Sequence, residues 1–224
     1  SIPVRNNGLI RAMAVDDKGT IYAGGKFEFG YLEPDSYGRM VYRSLSERID
    51  EQNEILAADS SRINSYLGRA EEINVGEILS IVVVDSSIYY LSKGAAIFKY
   101  TTYNDSLEFM NPRQFGLTSI VKAFSAGGRI IVGDNRRGLY DLKNDSLRKM
   151  KGGEFFSGMQ CYSILPYDSS RVVVSTLTDG VYLYNFVSGE VKKDFCSSGV
   201  NQKLSESVVY NGTNLPFGEM AFGT

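Results

Sequence analysis

The tetrapeptide Asn-Asp-Ser-Leu occurs at Asn104–Leu107 within "IFKYTTYNDSLEFM" (Ile97–Met110). It recurs 40 residues later at Asn144–Leu147 within "GLYDLKNDSLRKM" (Gly138–Met150). Each time an aromatic-bearing extended run leads into a polar turn and then a short alternating run. Four shared letters alone would mean little. The shared surroundings mark a repeated structural unit, and a repeat decides the fold before any local feature does.

Aligning the apolar runs outward from this stretch gives copies at about 9–45, 77–110, 119–150 and 160–194, and an incomplete fifth at 208–224. The equivalent anchors Ile21, Ile88, Ile130 and Val172 lie 67, 42 and 42 residues apart, so the first interval carries an insertion of 25 residues. Copy three divides into Ile120–Phe124, Arg129–Gly133, Gly138–Leu142 and Leu147–Met150, separated by "SAGG", "DNRR" and "KNDS". Runs of four to five residues rich in Val, Ile, Tyr and Phe are strands, and Gly, Asn, Asp and Ser are the residues that tight turns select. Four short antiparallel strands in each unit of about 40–45 residues is the pattern of a β-propeller blade. A β-sandwich is the rival, but it has no reason to repeat its own sequence every 42 residues. The expected fold is therefore all-β: about four and a half blades, with "NDSL" as the turn from third to fourth strand.

The 224 residues contain 15 Tyr, 12 Phe, 23 Gly, only 5 Pro and no Trp or His. A hydrophobic fraction of 43% supports a packed core. The net charge of −2 gives no case for nucleic acid or an anionic membrane. Residues 46–77 alone carry a net −5. In this acidic insertion (46–76 between the blades) Ile49, Leu56 and Ile63 recur seven apart, which predicts a helix, with Ser60 or Ser61 able to cap a second one. The insertion reads as a helical decoration packed on the rim, or as an acidic lid or dimer contact. Helix is expected nowhere else. No apolar run reaches the roughly 18 residues that a helical membrane span needs.

The phrase "GTIYAGGKFEFGYLEPDSYGRMVYRSL" (Gly19–Leu45) closely resembles the two-component-regulator propellers found in the sensory halves of bacterial signalling proteins. The match lies in Gly19–Tyr22, Gly24–Gly25, Glu28–Leu32, Gly38, Tyr42 and Ser44–Leu45. The usual tryptophan of the second strand is replaced by Tyr22, Tyr89, Ile131 and Val173. The resemblance implies a periplasmic propeller of seven blades, of which this chain is a fragment. A triple-tyrosine domain, a transmembrane helix and a histidine kinase or helix-turn-helix output would follow it. It also implies a sensory role, with a glycan fragment as one class of ligand, and membership of a sensor dimer; the alternatives are a protein-interaction scaffold propeller and, behind it, a carbohydrate-active propeller enzyme.

Strand alternation places the loops between second and third strands on one face. The candidate ligand or partner residues there are Lys26, Phe27, Glu28, Phe29, Lys93, Asp134, Asn135, Arg136, Arg137, Thr178 and Asp179. Phe27 and Phe29 are candidates for stacking on a sugar ring, and Arg136 and Arg137 for pairing with a carboxylate. The alternative is that these are solvated turns, with the phenylalanines packed between blades.

Catalysis has little support, and no enzyme, cofactor or metal is expected. The absence of His excludes His-dependent triads and His metal sites. Glu28, Asp134 and Asp179 could imitate a glycosidase pair, but acids in turns are common. "DDKG" (Asp16–Gly19) lacks the spaced ligands of a calcium loop. Cys161 and Cys196 flank copy four some three strand spacings apart, about 14 Å, so a bridge would need the intervening loop to fold back. Unpaired edges at the ends of an incomplete propeller invite self-association.

Overall fold

A computed structural model describes residues 2–5, 8–62, 73–93, 96–193 and 195–224. The chain divides into two compact units, Ser1–Asn111 and Pro112–Thr224.

The first unit holds two four-stranded antiparallel sheets, each in chain order. One is β1 (Ile10–Val15), β2 (Ile21–Gly25), β3 (Glu28–Pro34) and β4 (Met40–Ser44). The other is β5 (Ile78–Val84), β6 (Ser87–Ser92), β7 (Ile97–Thr101) and β8 (Ser106–Met110). Cross-strand partners share a face, so register shows what meets what. Ala14, Tyr22 and Tyr31 share one face of the first sheet. That face packs on Ile88, Tyr90, Phe98 and Tyr100 of the second. Phe29 stacks on Phe98 with ring centroids 4.8 Å apart, and Tyr31 on Tyr100 at 5.6 Å. The buried Tyr90 hydroxyl donates to the Gly30 carbonyl at 2.9 Å. Aromatic pairs of this kind add about 0.5–1.5 kcal/mol each beyond the area they bury. Glycine at 24 is required by this packing, because a Cβ there would lie 2.7 Å from the Ile78 side chain.

Between these sheets in sequence runs α1 (Ser46–Arg62). Ile49 is buried with Leu45, Ile73 and Val75 in the same core. Asn53 binds Ile73 twice, donating to its carbonyl and accepting from its amide, both at 2.9 Å. Arg48 grips Asp105 with two bonds of 2.8 and 2.9 Å. The start of α1 is thus a packed decoration. Ile63 lies outside the described residues, as do the side chains of Leu56, Ser60 and Ser61.

The second unit holds β9 (Ile120–Ala126), β10 (Arg129–Asp134), β11 (Gly138–Lys143) and β12 (Ser146–Lys149) in one sheet. A second sheet has β13 (Cys161–Pro166), β14 (Arg171–Thr176), β15 (Val181–Asn185) and β16 (Val191–Lys193). The hairpin β17 (Asn211–Asn214) and β18 (Met220–Gly223) completes it. The stacking rule is the same: Ile131 and Leu139 pack on Ile164, Val172, Val174, Tyr182 and Tyr184. Val173, Val181 and Leu183 then pack on Met220 and Phe222.

The two "NDSL" copies do form the turns between third and fourth strands, by different routes. Asn144 and Asp145 are the two loop residues between Lys143 and Ser146, with φ of 49° and 54°. Both central residues at positive φ define the hairpin turn that matches strand twist. In the earlier copy residues 102–105 form a longer loop, and only Asp105 among them has positive φ, 54°.

One expectation changes. Helix is not confined to the insertion, because α2 (Ser198–Glu206) follows the fourth sheet. It has nine residues and buries none of them fully, and its apolar signal is limited to Val200 and Leu204, four apart. Cys161 and Cys196 are both free. Cys161 is buried, and burial pushes its thiol up to about 12.

Candidate functional site

The loops between second and third strands follow one repeat position, four residues after each anchor: Gly25, Ser92, Asp134 and Thr176. In the second unit this position caps its own loop. Asp134, 1% exposed, accepts the Arg136 and Arg137 amides on Oδ1, both at 2.9 Å. Its Oδ2 accepts those of Thr118 at 3.2 Å and Ser119 at 2.9 Å. Thr176 Oγ1 does the same on a smaller scale, accepting the Asp179 amide at 3.0 Å and donating to the Gly180 carbonyl at 2.8 Å.

This corrects the assignment of Asp134 to the ligand face. It is a strand-end residue whose carboxylate is surrounded by its own backbone donors. Glu28 and Phe29 are corrected likewise. Gly25 pairs with Glu28 across a two-residue turn, so only Lys26 and Phe27 lie outside the ladder. Glu28 is 1% exposed and accepts from Tyr42 Oη at 3.1 Å, Ser44 Oγ at 2.8 Å and Ser46 Oγ at 2.8 Å. Phe29 is fully buried between Tyr90 and Phe98, so it cannot stack on a sugar. Glu28 and Asp134 are each enclosed by internal donors and cannot serve as a solvent-facing carboxylate pair.

The remaining candidates are exposed except Asn135, which is half-buried. In the first unit Phe27 has φ of 59° and stands 52% exposed, with Lys26 Nζ 5.3 Å from its ring centroid. The Phe27 amide donates to the Gly76 carbonyl at 2.6 Å and the Lys93 amide to the Glu77 carbonyl at 2.9 Å. The strand leading into β5 therefore brings Lys26, Phe27 and Lys93 to one end of the unit. Gly94 and Ala95 lie outside the described residues.

In the second unit the turn Asn135–Arg137 is held from both sides. Ser157 Oγ donates to the Arg136 carbonyl at 2.6 Å, and the Gly158 amide to the Asn135 carbonyl at 2.7 Å. Both arginine side chains project from this fixed backbone and are exposed. Among the described residues neither has a carboxylate partner, whereas Arg129 faces Asp141 and Arg171 faces Asp168 in the same unit. Two unpaired guanidinium groups on a braced turn can clamp a carboxylate, sulfate or phosphate through paired N–H donors. Thr178 and Asp179 are exposed on the equivalent loop of the next sheet, and Thr178 Oγ1 lies 3.4 Å from Asp179 Oδ2.

At the other end of the first unit's strands is an open groove of about 510 Å³ between the β1–β2 and β5–β6 turns. It is lined by Asp16, Asp17, Lys18, Asp85, Ser86 and Thr102, among others. The "DDKG" turn forms one wall. Asp16 is occupied by that turn, accepting from the Lys18 amide at 3.0 Å, the Thr20 amide at 2.7 Å and Tyr22 Oη at 2.9 Å. Among the described residues no cluster of acids and cysteines could hold a metal ion.

No protein-family model matches the sequence, and no curated protein sequence matches it. Solved structures do. The WD40 β-propeller domain of Doa1 matches with a TM-score of 0.62 and 15% identity, over 97% of this chain. Virginiamycin B lyase from Staphylococcus aureus matches at 0.59 and 9% identity, over 96%. The extracellular domain of a hybrid two-component system from B. thetaiotaomicron matches at 0.63 and 12% identity, over 97%. This chain spans 62%, 62% and 27% of those three chains respectively. At such identities the likeness carries the fold alone. With four-stranded antiparallel sheets following one another in chain order, it shows that this chain is built of β-propeller blades.

Proposed function

We propose that the chain is a ligand-binding part of an extracytoplasmic sensory propeller in a bacterial signal-transduction protein. Its ligand is an acidic glycan fragment, and the signal passes to a membrane-linked kinase or DNA-binding output. The supporting observation is the braced turn with Arg136 and Arg137 exposed and free of carboxylate partners among the described residues. A ligand anion has no internal competitor there. The two-component relative supports the cellular context, as does the sequence resemblance centred on Gly19–Leu45. Among the described residues no helix is long and apolar enough to cross a membrane.

The test is isothermal calorimetry with oligogalacturonides against neutral galacto-oligosaccharides of equal length. Arg136→Ala with Arg137→Ala is expected to weaken the acidic series by at least tenfold, about 1.4 kcal/mol, and leave the melting temperature unchanged. Equal affinity of the double variant for any acidic glycan that binds would remove these arginines from the site.

A further inference from the structure

The first strand of every full sheet slips register by one residue near its start. The slip falls between Ile10 and Ala12, Ile78 and Ser80, Ile120 and Lys122, and Cys161 and Ser163. The extra residues are therefore Arg11, Leu79, Val121 and Tyr162. A bulge re-aims the side chains around it, and a bulge repeated at one place in every blade fixes what the first strands present there.

In the second unit these strands bring together Lys122 of β9, Tyr162 of β13 and Tyr210 just before β17. Lys122 Nζ lies 5.1 Å from the Tyr162 ring centroid and donates to the Tyr162 carbonyl at 3.4 Å. The Tyr162 and Tyr210 rings meet edge to face, 6.1 Å apart at 84°. Tyr210 is 59% exposed, while Lys122 and Tyr162 are half-buried. An ammonium group has three N–H donors, and the Tyr162 carbonyl takes one of them. Among the described residues no carboxylate pairs with Lys122, and burial alone lowers its pKa. A half-buried cation with aromatic surface beside it and no counter-ion lacks one component, an anion.

We propose that Lys122, Tyr162 and Tyr210 form a binding site for a small organic anion, the charged group pairing with Lys122 Nζ and a ring packing against Tyr210. This site shares no residue with the arginine turn and does not depend on the reading given to that turn.

The experiment titrates the whole chain with sodium benzoate, which supplies charge and ring. Acetate supplies the charge alone and benzyl alcohol the ring alone. Binding is followed by NMR of the tyrosine ring and lysine side-chain resonances. Saturable shifts at Lys122, Tyr162 and Tyr210 are expected with benzoate, with the two half-probes at least about tenfold weaker. Lys122→Met and, separately, the exposed Tyr210→Ala are each expected to weaken benzoate by about fivefold or more, while Arg136→Ala with Arg137→Ala leaves it unchanged. The proposal is overturned by benzyl alcohol binding as well as benzoate, by Tyr210→Ala binding as wild type, or by no saturable shift up to about 50 mM. Retained benzoate affinity in a folded Lys122→Met variant would overturn it equally. Loss of benzoate binding in the arginine double variant would place the anion at the turn instead, and would also overturn it.

Discussion

Replacing Asp134 tests how the second unit holds its candidate loop. One buried carboxylate accepts four backbone amides, two from its own turn and two from the segment entering β9. Hydrogen bonds to a charged group contribute about 1.5–3 kcal/mol each. The four share one acceptor, and the turn amides regain water once the loop opens. Counting one full bond at the lower figure for each oxygen gives about 3 kcal/mol for Asp134→Ala. Asp134→Asn keeps one carbonyl oxygen but turns an amino group toward the other pair of donors, so about 2 kcal/mol or more is expected. For a chain of this size each kcal/mol lowers the melting temperature by about 2–4 °C, so Asp134→Ala should melt about 6–12 °C lower. Urea unfolding followed by circular dichroism measures the loss. Hydrogen exchange locates it, because the amides of Thr118, Ser119, Arg136 and Arg137 should all lose protection together. An Asn variant within about 0.5 kcal/mol of wild type, with those amides still protected, would refute the account.

Other consequences follow from the same geometry. Phe29→Ala removes a ring enclosed by Tyr90 and Phe98 and is expected to cost about 3–5 kcal/mol by denaturant unfolding; a loss below about 1 kcal/mol would mean that the ring is not enclosed. The Arg171 side chain and then the Ser170 amide hold the Asp168 carboxyl down at about 2. Its folded value lies below the unfolded one, so its stabilising contribution is complete above pH about 4 and is lost as pH falls through about 2. Carbon-detected titration should find that value, returning toward 4 in Arg171→Gln, and an ordinary value in wild type would contradict the contact. A thiol reagent under native conditions should label the partly exposed Cys196 first and the buried Cys161 only on unfolding; labelling in the reverse order would show that Cys161 is accessible. On the first sheet Met13 and Val15 are 63% and 59% exposed on the face opposite Tyr22. Light scattering should show self-association that Met13→Lys with Val15→Lys reduces, and a wild-type chain monomeric at every concentration would exclude this face as a contact.

The fold was legible because a propeller blade repeats its alternation. Ile21, Ile88, Ile130 and Val172 all fall on second strands, and the turn residues between them punctuate each hairpin. The site was legible only where exposure follows from position in a loop. Arg136 and Arg137 are such residues. Glu28 is not, because a turn's length decides which of its residues rejoin the ladder. The turn before Glu28 has just two residues, the second at positive φ, and such turns normally announce themselves by Asn-Gly or Asp-Gly. Lys26-Phe27 carries no such signal, so Glu28 and Phe29 read as loop when they open β3. Asp134 carries a signal in the repeat itself. It occupies the same repeat position as Thr176, and a short polar side chain recurring where a strand ends can cap the loop that follows. Lys122 was hidden for the opposite reason. A lysine on a strand ordinarily marks the solvent face, and nothing in the sequence shows that the register slips one residue before it. That slip, with its counterpart at Tyr162, makes two isolated side chains neighbours. Loops can be read from composition, but the contents of a site built on bulges follow only once the register of each strand is known.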